Sequence, residues 1–463
     1  MVNLNADLVI KNAKIFSSKG FYTGGVAIAK GRIVAIGKTA ILPKGEKIID
    51  AKGKILIPGV IDEHCHIDEP WEAPDKEAAK KRENVERGTM AAAAGGVTTI
   101  MLMPDTFPLV TTEEAFLSKK EIYEKKAYVN FSLHAGFTPN MNYEEALPKL
   151  WALGATGLKT FTCFSIPEWP AIRDGELYAA LKVISKIKAL ALIHAENDDI
   201  LSYNRKILEK EGRKDYKAHL DWRPPIAEAE AVRRITFLLK EAKAKGMIVH
   251  TTIPEAIVTV KEAKRRGHQI YVESCPHYFY LTEEDVLKMG PWCKCAPPLR
   301  KKSYVAKLWE MLAKGYIDTI GSDHCGYSRD DKSVGEANIW NAPNGLPGIE
   351  TMLPLMLNGV TKGRVSLETL ISVLCENPAK IFGLYPKKGS IQIGSDADLA
   401  LLDLKKEVKI SNERILSNCG WTPFDGMVVK GYPVMTIVSG KVVMHDGEIV
   451  VSKGSGSFVP RLY

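Results

Sequence analysis

The chain has 463 residues, 45% of them hydrophobic and 25% charged, with a formal net charge of +8. That composition is that of a globular protein of more than one domain, or of one long α/β barrel with an added domain. The charge is spread without a concentrated basic run, which argues against a nucleic-acid partner, and no apolar run nears the roughly 18 residues a membrane span needs.

The opening "MVNLNADLVIKNAKIF" lacks a basic segment followed by a long apolar one. A secretory leader is therefore not expected, and a cytoplasmic location is. The eight scattered Cys then read as reduced thiols. Cys293-Lys-Cys295 is too short a pair to define a zinc site and reads as structural or as pocket lining. Residues 1–54 read as β structure, with "GGVAIAKGRIVAIG" alternating around a hairpin turn at Lys30-Gly31.

Beyond residue 54, short β-branched apolar runs alternate with longer helical patterns. Strands are expected at 55–62, 97–103, 128–134, 155–161, 190–194, 246–250, 269–273 and 317–322. Helices are expected at 78–94, 113–125, 174–188, 227–245 and 254–266. Eight such alternations predict an α/β fold, a (β/α)8 TIM-like barrel over 55–384. Residues 385–463 return to β structure, where "PVMTIVSGKVVMHDGEIV" breaks at Ser439-Gly440 and Asp446-Gly447. Neither terminal segment makes a full sheet alone. Residues 1–54 and 385–463 are thus expected to build one small composite β-sandwich domain, with "SKGSGS" near the end as a flexible tract.

Catalytic groups of such a barrel gather at the carboxyl ends of its strands. There the first strand runs into His64 and His66, the fourth carries Lys159, the fifth and sixth end in His194 and His250, and the eighth leads into Asp323. Strand side chains alternate, so His64 and His66 share a face while Cys65 packs on the other. Two imidazoles from one strand and one from each of two others can converge on a metal such as zinc. Lys159 as a cation would be costly there; deprotonated, it can take up CO2 as a carbamate, an anionic ligand able to bridge two metals. Each residue has an ordinary alternative: a packed core His, a snorkelling Lys, an Asp that caps a helix. Five of eight strands delivering such groups to one barrel end favour the metal site. Of the other histidines, His134 is expected at the site rim, His277 behind the site or against substrate, and His324 as a partner of Asp323's neighbourhood. His219, His268 and His445 are expected at the surface.

The ordered set His64-x-His66, Lys159, His194, His250 and Asp323 resembles the amidohydrolase superfamily. The likeness extends to "IPGVIDEHCHIDEP", "GLKTF", "IHAEN", "ESCPHYFYLTEEDV", "CAPPLR", "GSDH" and "NPAKIFGL". It points to the cyclic-amide branch of dihydroorotases, allantoinases and hydantoinases or dihydropyrimidinases. The resemblance implies two divalent metal ions, zinc by default, bridged by a carboxylated Lys159. It implies that His64 and His66 with Lys159 and Asp323 hold one ion, and that His194 and His250 hold the other. It further implies a bridging water activated as hydroxide, Asp323 as the group that passes its proton to the leaving ring nitrogen, and a homo-oligomer, either dimer or tetramer. Relatives that act as non-catalytic scaffolds lose these ligands; here each is present.

Positions that vary within the branch address the substrate. Dihydroorotases typically carry an Arg where this chain has Asp68 and an Asn where it has Ala296, so a carboxylate-bearing ring is disfavoured. Hydantoinases resemble the chain in Asp68 and in "APNGLPGIE", where the backbone around Asn344 is expected to meet the ring amide. They usually place an oxyanion-binding Tyr where Phe164 stands. Allantoinases resemble it in Glu69-Pro70, in "ESCPHY" with His277, and in "KTFTCFS" with Ser165. The expectation is a hydrolase that opens the ring C–N amide bond of a small cyclic ureide, allantoinase-like (allantoin to allantoate), with hydantoinase or dihydropyrimidinase next.

Overall fold

Both ends of the chain enter one nine-stranded sheet in the computed structural model, which describes residues 5–17, 20–69, 77 and 80–462. Five strands come from the N-terminal side: Ala6–Ser17, Gly20–Ala29, Arg32–Gly37, Gly45–Asp50 and Ile55–Pro58. Four come from the C-terminal side: Leu399–Lys409, Val428–Val438, Lys441–His445 and Glu448–Ile449. Ile55–Pro58 is the join. It runs parallel to Ala6–Ser17 and antiparallel to Leu399–Lys409. The expected hairpin turns are present: Lys30-Gly31, Ser439-Gly440 and Asp446-Gly447 all have positive φ at both residues, the conformation whose twist suits a two-residue hairpin. Ile10, Ile15, Ile28, Leu56, Leu399 and Ile437 share one buried core, so the sandwich draws its interior from both termini.

The strand expected over 55–62 is in fact two. Ile55–Pro58 belongs to the terminal sheet and Val60–His66 to the barrel. A Cβ on Gly59, between them, would lie 2.1 Å from Thr98 Oγ1 and 2.9 Å from Asp398 Cβ. Only glycine lets the backbone pass at that approach, and we propose Gly59, rather than residue 54, as the domain division.

Among the described residues the barrel has eight parallel strands. In order they are Val60–His66, Val97–Leu102, Asn130–Leu133 continued as Ala135–Gly136, Leu158–Phe161, Leu190–His194, Lys245–Ile248, Ile270–Ser274, and Thr319–Ile320 continued as His324–Cys325. Cys65 and His66 pair with His324 and Cys325, which closes the ring of strands. Ile61, Met101, Leu192, Met247, Phe382 and Val459 fill the interior beneath the polar strand ends. The helix expected at 78–94 is Val85–Ala94, with residues 78–79 outside the described set. Asn84 starts it by accepting from Arg87 N at 2.9 Å. The other expected helices are Glu113–Lys126, Asp174–Lys186, Pro225–Ala242 and Pro254–Arg265.

Two features differ from expectation. After the fifth strand the chain inserts two helices, Asp198–Lys210 and Tyr216–Trp222, before Pro225–Ala242. The tract read as flexible is bound to the barrel instead. Phe131 N donates to Ser457 O (3.0 Å) and Val459 N to Phe131 O (2.8 Å). Gly456 permits this approach, since a Cβ there would fall 1.9 Å from Val129 O.

Candidate metal centre and active site

The six residues singled out for metal binding line one pocket at the carboxyl ends of the strands. His64 and His66 share a strand face, with ring centroids 5.3 Å apart. Cys65 turns the other way and is fully buried against Met101 O. His250 and Asp323 follow the sixth strand and interrupt the eighth, with φ of 39° and 48°. This left-handed backbone is uncommon outside glycine and collects at functional sites. Here it swings both side chains into the barrel mouth. Asp323 Oδ1 lies 3.2 Å from His64 Nε2 and 3.3 Å from His66 Nε2. His250 stands 4.5 Å from His194 and 5.4 Å from His64, ring centre to ring centre.

A second layer of carboxylates orients the imidazoles. Glu273 meets His64 Nδ1 at 2.8 Å, Glu196 meets His194 Nε2 at 2.8 Å, and Asp105 meets His66 Nδ1 at 3.3 Å. Arg223 in turn pairs with Glu196. Such partners fix which ring nitrogen faces inward. Burial pushes His64 down to about 3, and it also lowers His194 and His250. Burial works against a charge on His66, but Asp105 and Asp323 outweigh it and push the ring up to about 10. Burial would raise Asp323, yet His64 and His66 hold it down to about 2.

Two buried nitrogens of this cluster, His250 Nδ1 and Lys159 Nζ, have no hydrogen-bond partner among the described residues, and His64 Nε2 has only the approach of Asp323 Oδ1. Leaving them bare in the interior is costly. Inward-facing imidazole nitrogens beside a carboxylate are the donor set that a divalent cation takes, and the ligand atoms of His64, His66 and Asp323 lie within 4.8 Å of one another. Burial lowers the pKa of Lys159, which favours the free amine that a carbamate requires. The His64, His66 and Asp323 side chains thus fit a divalent ion, with the Lys159 amine lining the same pocket.

The pocket holds about 230 Å³, below the roughly 300–1,000 Å³ of sites for drug-sized ligands and of a size for a small ring. Asp68, Ser165, Ala296 and Asn344, expected to meet substrate, all line it. Asp68 also braces the pocket wall, where its Oδ1 accepts from Phe107 N at 2.7 Å and ties down the loop after the second strand. His277 does not line the pocket; it is buried beside Asp323 and Cys275. Asn344 Oδ1 is buried without a partner among the described residues, and Phe164 stands exposed at the mouth.

The remaining histidines differ in part from expectation. His134 misses the rim, since its Nε2 bonds Glu63 O at 3.0 Å and its ring packs on Phe382 inside the barrel. His219 is buried rather than at the surface, with Nε2 2.9 Å from Cys295 O. His324 stands behind the pocket wall, accepting from Gly348 N and facing Glu83. Sequence reasoning missed Glu196, Glu273, Asp105 and Arg223. Glu196 had a signal, since it repeats the two-residue spacing after His194, and Asp105 ends the second strand's run in "MLMPD".

Comparison with known proteins agrees with this geometry. An L-hydantoinase of Paenarthrobacter aurescens is 40% identical over 457 residues, 98% of each chain. An allantoinase of Solibacter usitatus is 32% identical over 98% of this chain and 97% of its own. The solved L-hydantoinase (dihydropyrimidinase) from Arthrobacter aurescens superposes with a TM-score of 0.94, at 40% identity, over 98% of this chain and all of that one. The amidohydrolase family model matches residues 55–443. With the barrel, the shared sandwich and the convergent His, Lys and Asp side chains already in place, the chain belongs to the amidohydrolase family, among the hydrolases that open cyclic amides.

Proposed function

We propose that this protein is a hydantoinase, hydrolysing the ring C–N amide bond of hydantoin and its 5-substituted derivatives. The observation that carries this is the 40% identity to an L-hydantoinase over 98% of both chains, against 32% for the allantoinase. The expected order of the two is therefore reversed. Allantoin is itself a hydantoin with a 5-ureido substituent, so the two activities differ at the substituent and share the ring. Ser165 at the pocket keeps allantoin as the second reading.

Two divalent ions, zinc by default, would be held by His64, His66, His194, His250 and Asp323 with Lys159 between them, and would supply a nucleophile at neutral pH and polarise the ring carbonyl. Lys159 joins this set by adding its free amine to CO2, forming the N–C bond of a carbamate and releasing one proton. Asp323, pointing into the same space as His64 and His66, takes the proton from the attacking water and returns it to the ring nitrogen as the C–N bond breaks. Asn344 offers its peptide groups to the ring amide. Asp68, held in place by Phe107 N, repels a carboxylate on the substrate. Phe164 has no hydroxyl and leaves the oxyanion to other groups.

The same proposal includes a homo-oligomer, dimer or tetramer, for which Ile226 and Phe237 on Pro225–Ala242 provide exposed apolar side chains. It places the protein in the cytoplasm; no helix among the described residues is long and apolar enough to cross a membrane. The test is a hydrolysis panel on metal-loaded protein with hydantoin, both enantiomers of 5-substituted hydantoins, allantoin, dihydrouracil and dihydroorotate. Hydantoins should show the highest kcat/KM. A higher value for allantoin would restore the allantoinase reading, and no turnover of any ring would end both.

A further inference from the structure

Two lysines lie buried beside the pocket and neither forms an ion pair with a carboxylate among the described residues. Lys332, on Arg329–Ser333, is fully buried. Its Nζ donates to Gly345 O (2.9 Å), Pro343 O (3.0 Å) and Lys294 O (3.2 Å). Trp421 closes another side, its ring centroid 5.9 Å from Nζ. Three carbonyl acceptors match the three donors of an ammonium. Lys294 Nζ reaches Ile339 O at 2.7 Å and Ala342 O at 2.5 Å. Burial pulls Lys332 down to about 8 and Lys294 to about 7. A lysine in "SRDDKS" costs nothing in water; buried without a counter-ion it is expensive. Both amines point at carbonyls of one loop, 339–345, and Lys332 reaches Lys294 O as well.

That loop carries Asn344 to the pocket. Asn344 is flanked by the two carbonyls that Lys332 holds on the loop, while its own N–H, C=O and Oδ1 make no hydrogen bond among the described residues. The loop's other ties leave those groups free: Gly345 N donates to Lys294 O (3.0 Å), and Cys325 N donates to Leu346 O (2.9 Å). An ammonium on Pro343 O also polarises the peptide between Pro343 and Asn344 and strengthens its N–H as a donor.

We propose that Lys332, assisted by Lys294, is a positioning residue for ring recognition, clamping the backbone on both sides of Asn344 so that its free peptide groups are presented to the amide edge of the substrate. The proposal rests on the cyclic-amide reading above. Lys332 does not touch the ring; it acts through Asn344. Loss of the clamp therefore weakens binding of the ring in ground and transition states alike and appears in KM.

The test uses the metal-loaded full chain and the panel substrate with the highest turnover, reading KM, kcat and bound metal. Lys332→Met should raise KM about tenfold or more, with kcat changed less and bound metal as in the wild type. Lys332→Arg should recover part of the loss, and Lys294→Met should raise KM by a smaller factor. A folded Lys332→Met with KM within about twofold of wild type, or a defect confined to kcat or to metal content, would overturn the clamp. If Lys332→Met does not fold, unchanged KM in both Lys332→Arg and Lys294→Met overturns it. A wild type that opens no cyclic amide removes the proposed function and this inference together, whereas an active wild type with unmoved KM in the variants removes the inference alone.

Discussion

Asp323 interrupts the eighth strand with a left-handed backbone and sets one carboxylate oxygen between two imidazoles. Asp323→Asn keeps the volume and a coordinating oxygen but loses the proton acceptor. It should retain most bound metal and lower kcat by at least about 10²-fold; near wild-type kcat would remove Asp323 from proton transfer. Phe164→Tyr adds a hydroxyl at the mouth and should raise kcat on hydantoin through an added oxyanion donor. An unmoved kcat would place oxyanion stabilisation elsewhere. At this scale the six inward groups were legible because alternation along a strand fixes the face and each residue type is a metal or carbamate former. Glu273 was not, and Glu196 and Asp105 left only their positions after strand ends as a signal, because an acid's meaning depends on the imidazole opposite it in space. The buried Lys332 was hidden by a context, "SRDDKS", that reads as a solvated surface, and Lys294 by standing between two cysteines that gave no sign of what its amine meets.

The strands position the six pocket groups, but the inserted helices hold one of them in place. Asp198–Lys210 and Tyr216–Trp222 lead the chain to Arg223, which grips Glu196, which in turn holds His194 Nε2. Glu196→Gln removes the carboxylate charge from the Arg223 ion pair and from the hydrogen bond to His194 while keeping the shape. Metal affinity should fall by roughly 10–100-fold in chelator competition; an unchanged affinity would show that packing alone holds the His194 ring. The barrel strands were readable as apolar runs between helical patterns. The two inserted helices were not, since "DDILSYNRKILEK" and "YKAHLDW" are largely polar and bury few side chains each. The run 55–62 misled because its apolar character is continuous across Gly59, and only the strand pairing shows where one sheet ends and the next begins.

The whole molecule is tied together by its terminus as well as by its sheet. Residues 456–459 cross beneath the barrel, with Val459 in the interior cluster and Phe458 against Phe131. Gly and Ser composition suggested a loose end, yet glycine also permits the closest backbone contact, and composition cannot separate the two uses. Truncation after Lys453 should cost about 2–5 kcal/mol, from the lost burial of a Val and a Phe. It should lower the midpoint of denaturant unfolding, and an unmoved midpoint would make the tail an ornament of the fold. We propose that the barrel mouth is a binuclear centre built around Lys159. Metal content of the wild type and of Lys159→Ala, measured side by side after metal loading, tests it most directly. Two ions per chain are expected in the wild type, and one or none in the variant with hydrolysis lost. Two ions retained in Lys159→Ala would contradict the claim.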